Sequence, residues 1–546
     1  MANILGVLLF LRLPWIVGLA GVWQSFGAVL LGCTCTFITS LSLSAVATNG
    51  KVKAGGSYYL ISRSLGPAIG SAVGLNFFLA NGIGAAMYII GTVEAFETGA
   101  PGAQPADVGS VANVRIVGLI VLAASALVVG AGLKYVSKAA TLFLAIVLLV
   151  ILCMALGCFI GPAGLTTEID FAYLNDPANA AAVTPDLLST VLNYTWVVEE
   201  GFTGVSSRHF SENADPQYDA FQTAFPLDSG TSWSFFAMVA LWFPACTGIM
   251  AGSNRSSELK DPKRSIPTGT LFAQLSTSII YLCFCFLYGS TADRKLLLHD
   301  RFFASTSAWP VREVVVYGVL ASSLGAALQS LTSATRLLTA IATDGMLAPF
   351  LNCFRHRDGK EPYPSLALAT VICTCAILIG EINAIAPILT MCFLMCYLCV
   401  NISCCLLHLL GDPDWRPSFR YYHWTISLLG AIQCVVLMVA ISWLAAVIAF
   451  AFAGCVFTLA THNARNSSGG DIIQGLRYRI ARNTLRWMNS DTSNSQAWRP
   501  QVRRARTSDD AKGWTSGYSA QETSTGLSFF AGGTSLHSQG FDSPLP

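Results

Sequence analysis

Residues 3–8 (NILGVL) and 244–250 (PACTGIM) decide the fold of this chain, because each stretch interrupts a long apolar run with a glycine. One interruption lies at the start of the apolar part and the other near its middle. Hydrocarbon offers no hydrogen-bond partners, so backbone groups freed by a helix break must be satisfied by protein or by a ligand. Paired breaks in two halves of a membrane protein predict an ion site, whereas glycines in membrane helices also allow close helix packing. These residues alone leave both interpretations open.

The composition is that of a polytopic membrane protein. Hydrophobic residues make up 53% of the 546 residues and charged residues only 11%, against roughly 25% charged residues in soluble domains. The mean hydropathy of +0.56 agrees with this class. A net charge of +2 gives no global field that would favour nucleic acid. The first apolar run contains Arg12 and has no clear small-residue cleavage site, so we predict no cleavable signal peptide.

Cysteine and histidine give no sign of a catalytic or metal site. The 17 cysteines lie mostly in apolar runs, and the 7 histidines are dispersed along the chain. Cysteine in an apolar helix usually serves as a small core residue. Neither residue type has the spacing of a metal site, and no nucleophile–base pair can be recognised. We therefore predict that the protein is not an enzyme and has no cofactor or resident metal.

Twelve apolar stretches are long enough to cross a bilayer, which takes about 20 residues each. They are roughly residues 3–20, 25–47, 67–97, 113–133, 138–160, 231–252, 267–290, 312–341, 365–380, 384–408, 424–443 and 445–462. The sequence therefore predicts an all-α polytopic membrane protein with a transmembrane domain over residues 1–462.

Loop charges orient these spans. Loops 48–66, 253–266 and 342–364 carry three, four and three Lys or Arg residues, and the positive-inside rule predicts that they are cytoplasmic. Residues 162–230 contain ten acidic residues and one basic residue and are predicted to form a long extracellular loop. Asn193 in this loop begins an Asn-Tyr-Thr sequence, which predicts a glycosylation acceptor.

The chain changes character after the last span. Residues 463–506 are rich in arginine and are predicted to form a basic cytoplasmic segment. Residues 471–488 within it form either a helix lying on the membrane surface or an ordinary solvated segment. Residues 507–546 are rich in Ser, Gly and Thr and are predicted to be a disordered, low-complexity tail.

Five stretches of this chain resemble the cation–chloride cotransporter family. They are residues 3–13 (NILGVLLFLRL), 45–66 (AVATNGKVKAGGSYYLISRSLG), 243–269 (FPACTGIMAGSNRSSELKDPKRSIPTG), 393–401 (FLMCYLCVN) and 415–429 (WRPSFRYYHWTISLL). The resemblance extends over about residues 3–500, and its wording at 248–256 and 415–425 is closer to the potassium–chloride branch than to the sodium–potassium–chloride branch. It implies the amino acid–polyamine–organocation fold, which has two inverted five-helix repeats with discontinuous first and sixth spans, followed by two further helices.

The resemblance also implies binding sites for the transported ions. Potassium would bind the backbone at Asn3, Ile4, Pro244 and Thr247 and the hydroxyl of Tyr88. One chloride would bind at Gly6, Val7 and Leu8, and a second at Gly248, Ile249 and Met250 with the hydroxyl of Tyr397. Neutral oxygens suit a large, weakly hydrated cation, and N–H groups at a helix start suit an anion. For Tyr88, the alternative from the residues alone is a packing role.

Two further features concern the gate and sodium. Arg12 and Glu94 each lie in an apolar run, where an unpaired charge is expensive, so we predict that they pair. The resemblance implies an extracellular gate closed by this pair, and the alternative is a static ion pair. Gly325 and Ala326 align where sodium-coupled relatives have two hydroxyl residues, which implies a lost sodium site. An alignment shifted by two or three residues would instead place Ser323 and Ser322 there.

The resemblance implies electroneutral, sodium-independent symport of K⁺ and Cl⁻ by alternating access. The expected partners are these ions, the lipid bilayer and a second copy in a homodimer, in the plasma membrane or an internal membrane. The chain starts two residues before Asn3, has no Cys in 162–230 and does not match the family's large cytoplasmic C-terminal domain. We therefore expect this chain by itself to be inactive. The alternatives are a truncated, transport-incompetent subunit that modulates a full-length cotransporter, and an amino-acid or polyamine carrier on the same fold.

Overall fold

The computed structural model describes residues 1, 3–49, 56–65, 67–99, 111–160, 167–168, 197–198, 202–218, 233–254, 256, 259–300, 302–343, 353–355, 361–409, 415–466, 481–482 and 484–485. The chain divides into two compact units, residues 1–479 and residues 480–546. All helices and strands named below lie in the first unit. Asn193, residues 507–546 and most of the predicted 471–488 helix lie outside the described residues.

Helices form nearly all of the regular structure that is described. The first half contains α1 (Leu8–Leu11), α2 (Leu13–Thr48), α3 (Gly56–Leu65), α4 (Pro67–Gly99), α5 (Val111–Gly130), α6 (Leu133–Ile160), β1 (Thr167–Glu168), β2 (Val197–Val198), α7 (Ser207–Glu212), α8 (Phe235–Cys246) and α9 (Ala251–Asn254). The second half contains α10 (Pro262–Thr291), α11 (Arg294–His299), α12 (Phe303–Thr306), α13 (Arg312–Thr343), α14 (Tyr363–Ile379), α15 (Ile382–Leu409), α16 (Trp424–Ile441) and α17 (Trp443–Asn466). The strands β1 and β2 form a single antiparallel pair.

Ten helical stretches in the described residues are long and apolar enough to cross a membrane, and α14 is a shorter apolar helix. This finding confirms the prediction of an all-α polytopic membrane protein. Predicted spans 3–20 and 25–47 correspond to the two parts of α2, which meet at Gly21. The non-helical φ and ψ of Gly21 interrupt the helix there, so the structure separates the two spans where the sequence does.

Backbone geometry explains the kink at Gly21. Its φ of 68° and ψ of 171° are a conformation that only glycine adopts without strain. The kink also frees backbone groups, and residues 202–218 cover them. The Val22 N–H donates to the Asn213 carbonyl at 2.9 Å, and the Gln217 N–H donates to the Leu19 carbonyl at 2.8 Å. The end of the predicted extracellular loop is therefore anchored at the junction of the first two spans.

Two pairs of long helices surround the breaks. α4 packs along α13, and α10 packs along α2. Serine and threonine hydroxyls inside this core donate to carbonyls one turn earlier, as Thr36 does to Gly32 and Ser40 does to Thr36. Such bonds keep polar side chains satisfied where neither water nor lipid can do so. These serine and threonine hydroxyls of the buried helices near the breaks are therefore hydrogen-bonded within the protein.

The cysteines only partly follow their predicted core role. Most of the 17 are buried, and two thiol pairs are in contact, with Sγ–Sγ distances of 3.8 Å for Cys33–Cys246 and 3.6 Å for Cys35–Cys434. Cys283 and Cys375, however, are exposed on their helices. The core prediction is wrong for these two, because an apolar run does not reveal which helix face meets lipid.

Candidate ion-binding site

The first break lies directly before α1. Residues 3–7 are not helical, and the carbonyl of Met1 accepts from the N–H groups of Ile4 and Leu5, both at 2.9 Å. The Gly6 N–H donates to the Ile4 carbonyl at 2.7 Å. Within the described chain, the N–H groups of Val7 and Leu8 have no backbone acceptor. Two donors are therefore free where the sequence predicts an anion.

The second break separates α8 from α9. Pro244 lies inside the last turn of α8, and its carbonyl accepts from the Thr247 hydroxyl at 2.7 Å and the Thr247 N–H at 3.2 Å. Gly248 has φ +101°, a conformation that L side chains rarely adopt. The N–H groups of Gly248, Ile249 and Met250 have no backbone acceptor among the described residues. The break thus exposes three consecutive donors before α9.

The two breaks meet at Asn3. A Cβ added to Gly248 would lie 2.9 Å from the Asn3 carbonyl oxygen, so only glycine allows this approach. The Tyr88 hydroxyl donates to the same carbonyl at 3.3 Å, and the Tyr88 ring lies against Gly6. Asn3 Oδ1 is buried and has no hydrogen-bond partner in the described part of the structure. The backbone and side-chain oxygens of Asn3 and the Tyr88 hydroxyl of α4 therefore lie next to Gly248 of the second break.

A small uncharged cleft of about 10 Å³, with room for roughly one water molecule, lies at this point. Its lining residues are Asn3, Phe77, Asn81, Gly84, Tyr88, Thr247, Gly248, Met250, Ala251, Asn254, Ser330, Leu389 and Phe393. Asn254 ends α9 and leads into loop 253–266, which the charge pattern predicts to be cytoplasmic. Through Asn254, the cleft therefore borders the predicted cytoplasmic side of the breaks.

An ion pair lies on the opposite side of the breaks. Arg12 Nη1 and Nη2 donate to Glu94 Oε2 and Oε1, each at 3.0 Å. Arg12 Nε donates to Asn383 Oδ1 on α15 at 3.1 Å. The side chains of Arg12 and Glu94 are 15% and 25% exposed, so the pair is largely shielded from solvent. The hydrogen bonds of the Arg12 guanidinium therefore connect α1, α4 and α15 on the predicted extracellular side.

Tyr397 is a fully buried residue of α15 with an unpaired hydroxyl. Its hydroxyl has no hydrogen-bond partner among the described residues. Its ring centroid is 6.2 Å from that of Phe243, the residue before Pro244. A buried polar group without a partner costs about 1–3 kcal/mol. This hydroxyl is therefore a candidate ligand next to the second break.

Gly325 and Ala326 present no side-chain oxygen. A Cβ on Gly325 would lie 2.5 Å from the Phe143 ring of α6, and Ala326 is fully buried. The hydroxyl of Ser322, one turn earlier on α13, donates to the Leu5 carbonyl at 3.2 Å. The neighbouring Ser323 hydroxyl donates to Val319 within the same helix. Ser322 is thus the α13 hydroxyl that contacts the first break.

Sequence reasoning missed Tyr281 and Asn383 as site residues, and it named Ser322 only as an alternative at the sodium position. Tyr281 on α10 is fully buried, with its hydroxyl 2.6 Å from the Ile4 carbonyl and 3.1 Å from the Ala245 carbonyl. Ser322 contacts Leu5, and Asn383 contacts Arg12. An isolated polar residue in an apolar run was the only signal for Tyr281 and Ser322, and it names no partner.

Buried charges outside the spans lie in the segment between α10 and α13. Asp300 accepts from the Phe302 N–H at 2.9 Å and from the Thr306 hydroxyl at 2.6 Å. Burial raises the pKa of Asp300 in spite of these bonds. Arg294 donates to the carbonyls of Glu212 and Asp215, both at 2.7 Å, and burial lowers its pKa. No group of three or more His, Cys, Asp or Glu in the described residues could hold a metal ion.

Comparison with known proteins places the chain among transporters. The model of the amino acid permease family matches residues 1–481. The chain is 40% identical over 523 residues to Cation-chloride cotransporter 1 of Oryza sativa subsp. japonica, an alignment that covers 91% of this chain and 50% of that protein. It is 39% identical to Cation-chloride cotransporter 2 of the same organism (91% and 49% covered) and 38% identical to Cation-chloride cotransporter 1 of Arabidopsis thaliana (91% and 50% covered). The chain spans about half the length of these curated relatives.

Proposed function

Because the chain belongs to the amino acid permease family, we propose that it is a secondary transporter that carries potassium and chloride together across a membrane, without sodium. The observation that carries this proposal is the meeting of Asn3 and Gly248, where backbone carbonyls lie beside N–H groups that have no backbone acceptor among the described residues. The similarity to cation–chloride cotransporters of two plants supports the choice of chloride together with a cation.

The proposed potassium site uses neutral oxygens only. Its ligands are the backbone carbonyls of Asn3, Ile4 and Pro244, Thr247, and the Tyr88 hydroxyl. The 3.3 Å contact between the Tyr88 hydroxyl and the Asn3 carbonyl supports this grouping. The Asn3 carbonyl oxygen and the Tyr88 hydroxyl oxygen could both coordinate a cation once the hydroxyl proton pointed away from the carbonyl. Several neutral oxygens suit potassium, which loses its hydration shell more readily than a small, hard cation does.

The proposed chloride sites use backbone donors. Val7 and Leu8, with Gly6, would bind one chloride beside the potassium. Gly248, Ile249 and Met250, with the buried Tyr397 hydroxyl, would bind the second. The N–H groups left without a backbone acceptor at both breaks support this assignment. Oriented N–H groups at a helix start attract anions without a positive side chain.

We infer that the described conformation is closed on the predicted outer side. The bidentate Arg12–Glu94 pair joins α1 to α4 on the predicted outer side. The small cleft lined by Asn81, Asn254 and Ser330 borders the breaks on the predicted cytoplasmic side. Alternating access around a fixed site requires each side to open in turn. The ion pair would thus be the gate that opens in the outward-facing conformation.

In this proposal, transport does not depend on sodium because α13 lacks two adjacent hydroxyl ligands. Sodium is small and prefers a complete set of close oxygen ligands. Gly325 and Ala326 offer none, and the Phe143 ring fills the space beside Gly325. Ser322 contributes one hydroxyl, which already donates to Leu5. A single hydroxyl is a poor replacement for two adjacent ones.

Ion-replacement uptake in proteoliposomes tests the proposal. In this and all later uptake experiments the chain and its variants carry an added inner half of the first span upstream of Met1, because this chain by itself is expected to be inactive. Rubidium, which has nearly the size of potassium, serves as the tracer. We expect rubidium uptake that falls to background when chloride is replaced by gluconate and that is unchanged when sodium is replaced by N-methylglucamine. Uptake that needs sodium would reject the proposed ion selectivity. Uptake that ignores chloride would reject cotransport.

Amino-acid transport is the second candidate, because the matching family model describes amino acid permeases. Broken-helix backbone groups can bind the carboxylate of an amino acid as well as chloride. A polyamine is less well matched, since the cleft-lining residues include no carboxylate. Uptake of a radiolabelled amino-acid mixture in the same vesicles, without chloride dependence, would favour this candidate.

A further inference from the structure

Tyr281 connects the two breaks through one hydroxyl. This residue lies on α10, outside both broken helices, and is 1% exposed. Its hydroxyl is 2.6 Å from the carbonyl of Ile4 at the first break and 3.1 Å from the carbonyl of Ala245 at the second. A phenol has one proton, so it fully satisfies only one of these acceptors at a time. The shorter distance indicates that the proton points to Ile4 here.

The Ile4 carbonyl is saturated in this arrangement. It accepts from the Gly6 N–H at 2.7 Å as well as from Tyr281 at 2.6 Å. A carbonyl oxygen has two lone pairs, and these two donors use both. On the proposed function, Ile4 is a cation ligand, so one donor must turn away before a cation binds. Tyr281 can do so without loss, because the Ala245 carbonyl is within reach.

We propose that Tyr281 is an additional residue of the cation site. When the site is empty, its hydroxyl caps the Ile4 carbonyl. When a cation binds, the proton turns to Ala245 and the phenol oxygen directs its lone pairs to the cation. This inference rests on the proposed function and adds one neutral oxygen to its ligand set. It also makes the spacing of the two breaks depend on occupancy, since the same hydroxyl contacts both.

The competing explanation is a purely structural tie between α10 and the breaks. Removal of a structural contact and removal of a ligand change different measured quantities. Losing a tie lowers the amount of folded protein or the maximum rate. Losing a ligand raises the cation concentration needed for half-maximal uptake, while the maximum rate per folded molecule stays close to normal.

Tyr281→Phe and Tyr288→Phe form a matched pair for the test. Both residues lie on α10, both are fully buried, and the substitution removes one hydroxyl in each case. The Tyr288 hydroxyl has no hydrogen-bond partner among the described residues. Rubidium uptake against rubidium concentration is measured for the full chain and both variants. Each rate is normalised to the folded protein in the vesicles.

We expect Tyr281→Phe to raise the half-saturating rubidium concentration about five- to tenfold, as the loss of one good polar contact predicts, and Tyr288→Phe to change it less than twofold. Equal half-saturating concentrations in Tyr281→Phe and the unmodified chain would overturn the inference. If the unmodified chain itself carries no rubidium, the proposed function fails first. Rubidium titration of thermal unfolding in detergent gives the same comparison if Tyr281→Phe inserts poorly, and an unchanged midpoint concentration there would overturn the inference equally.

Discussion

Neutralising the Arg12–Glu94 pair is expected to destabilise the protein strongly. Two N–H···O contacts of 3.0 Å join side chains that are only 15% and 25% exposed. Opposite charges about 4 Å apart attract by about 4 kcal/mol at an effective dielectric constant near 20. The remaining exposure lowers this value, and the Arg12–Asn383 bond survives loss of Glu94. We therefore expect a coupling free energy of about 2–3 kcal/mol between the two side chains.

A double-mutant cycle measures this coupling. Arg12→Met, Glu94→Gln and the double variant are unfolded at equilibrium in mixed micelles, and the coupling is the departure of their unfolding free energies from additivity. The exposed Arg208–Glu212 pair of α7 is the control, because its 3.0 Å contact joins side chains that are 78% and 42% exposed. Such a pair contributes at most about 0.5 kcal/mol. A coupling for Arg12–Glu94 no larger than that of the control would refute the reasoning.

Uptake by the same variants separates a gate from a static ion pair. A gate predicts at least a tenfold lower maximum rubidium uptake per folded molecule in each single variant, with the half-saturating concentration within about twofold of normal. The charge-reversed variant, Arg12→Glu with Glu94→Arg, should recover part of this rate. Normal uptake per folded molecule in both single variants would assign the pair a structural role only.

Three further predictions concern other parts of the molecule. Tyr88→Phe should raise the half-saturating rubidium concentration about fivefold or more, since it removes a proposed ligand at 3.3 Å from the Asn3 carbonyl; an unchanged titration curve would remove Tyr88 from the site. Asn383→Ala should lower the unfolding free energy by about 1–2 kcal/mol through loss of its bond to Arg12, and an effect below 0.3 kcal/mol in micelle unfolding would contradict this role. Burial raises the pKa of Asp300, so the folded state should lose stability as pH rises from the usual carboxyl pKa of about 3.9 through the raised pKa of the folded state. In Asp300→Asn the thermal stability should depend less on pH over that interval. A pH profile of the variant that is parallel to that of the unmodified chain would contradict this prediction.

Much of the architecture could be predicted from the sequence, because its signals are local. Apolar run length indicated the spans, the stretch at 244–250 does separate α8 from α9, and residues 3–7 are non-helical before α1. The boundary between the predicted spans 3–20 and 25–47 also coincides with the interruption at Gly21, although composition does not reveal the φ and ψ of that residue. Local composition also could not separate the lipid-facing Cys283 from the buried Cys285.

Residues of the site could be predicted from the sequence only where they belong to a motif or carry a charge within an apolar run. Arg12 and Glu94 stand out in apolar runs, so their contact could be anticipated. Tyr281 lies 277 residues from Ile4, and no periodicity links the two. Its role depends on how α10 packs between the breaks, and tertiary packing of that kind is invisible in one sequence. The same holds for Ser322 and the Leu5 carbonyl.

The uncharged lining of the cleft has a thermodynamic consequence. A cation held there by neutral oxygens has no fixed counter-charge among the lining residues, and an anion held by N–H groups has none either. Each ion is then the other's main source of neutralisation, and two unit charges about 6 Å apart attract by about 3 kcal/mol at an effective dielectric constant near 20. That amount would make either ion bind over a hundredfold more tightly when the other is present. Stoichiometric coupling would then arise from charge balance in a low-dielectric space, and a single carboxylate introduced into the lining, as in Asn81→Asp, would uncouple cation movement from chloride.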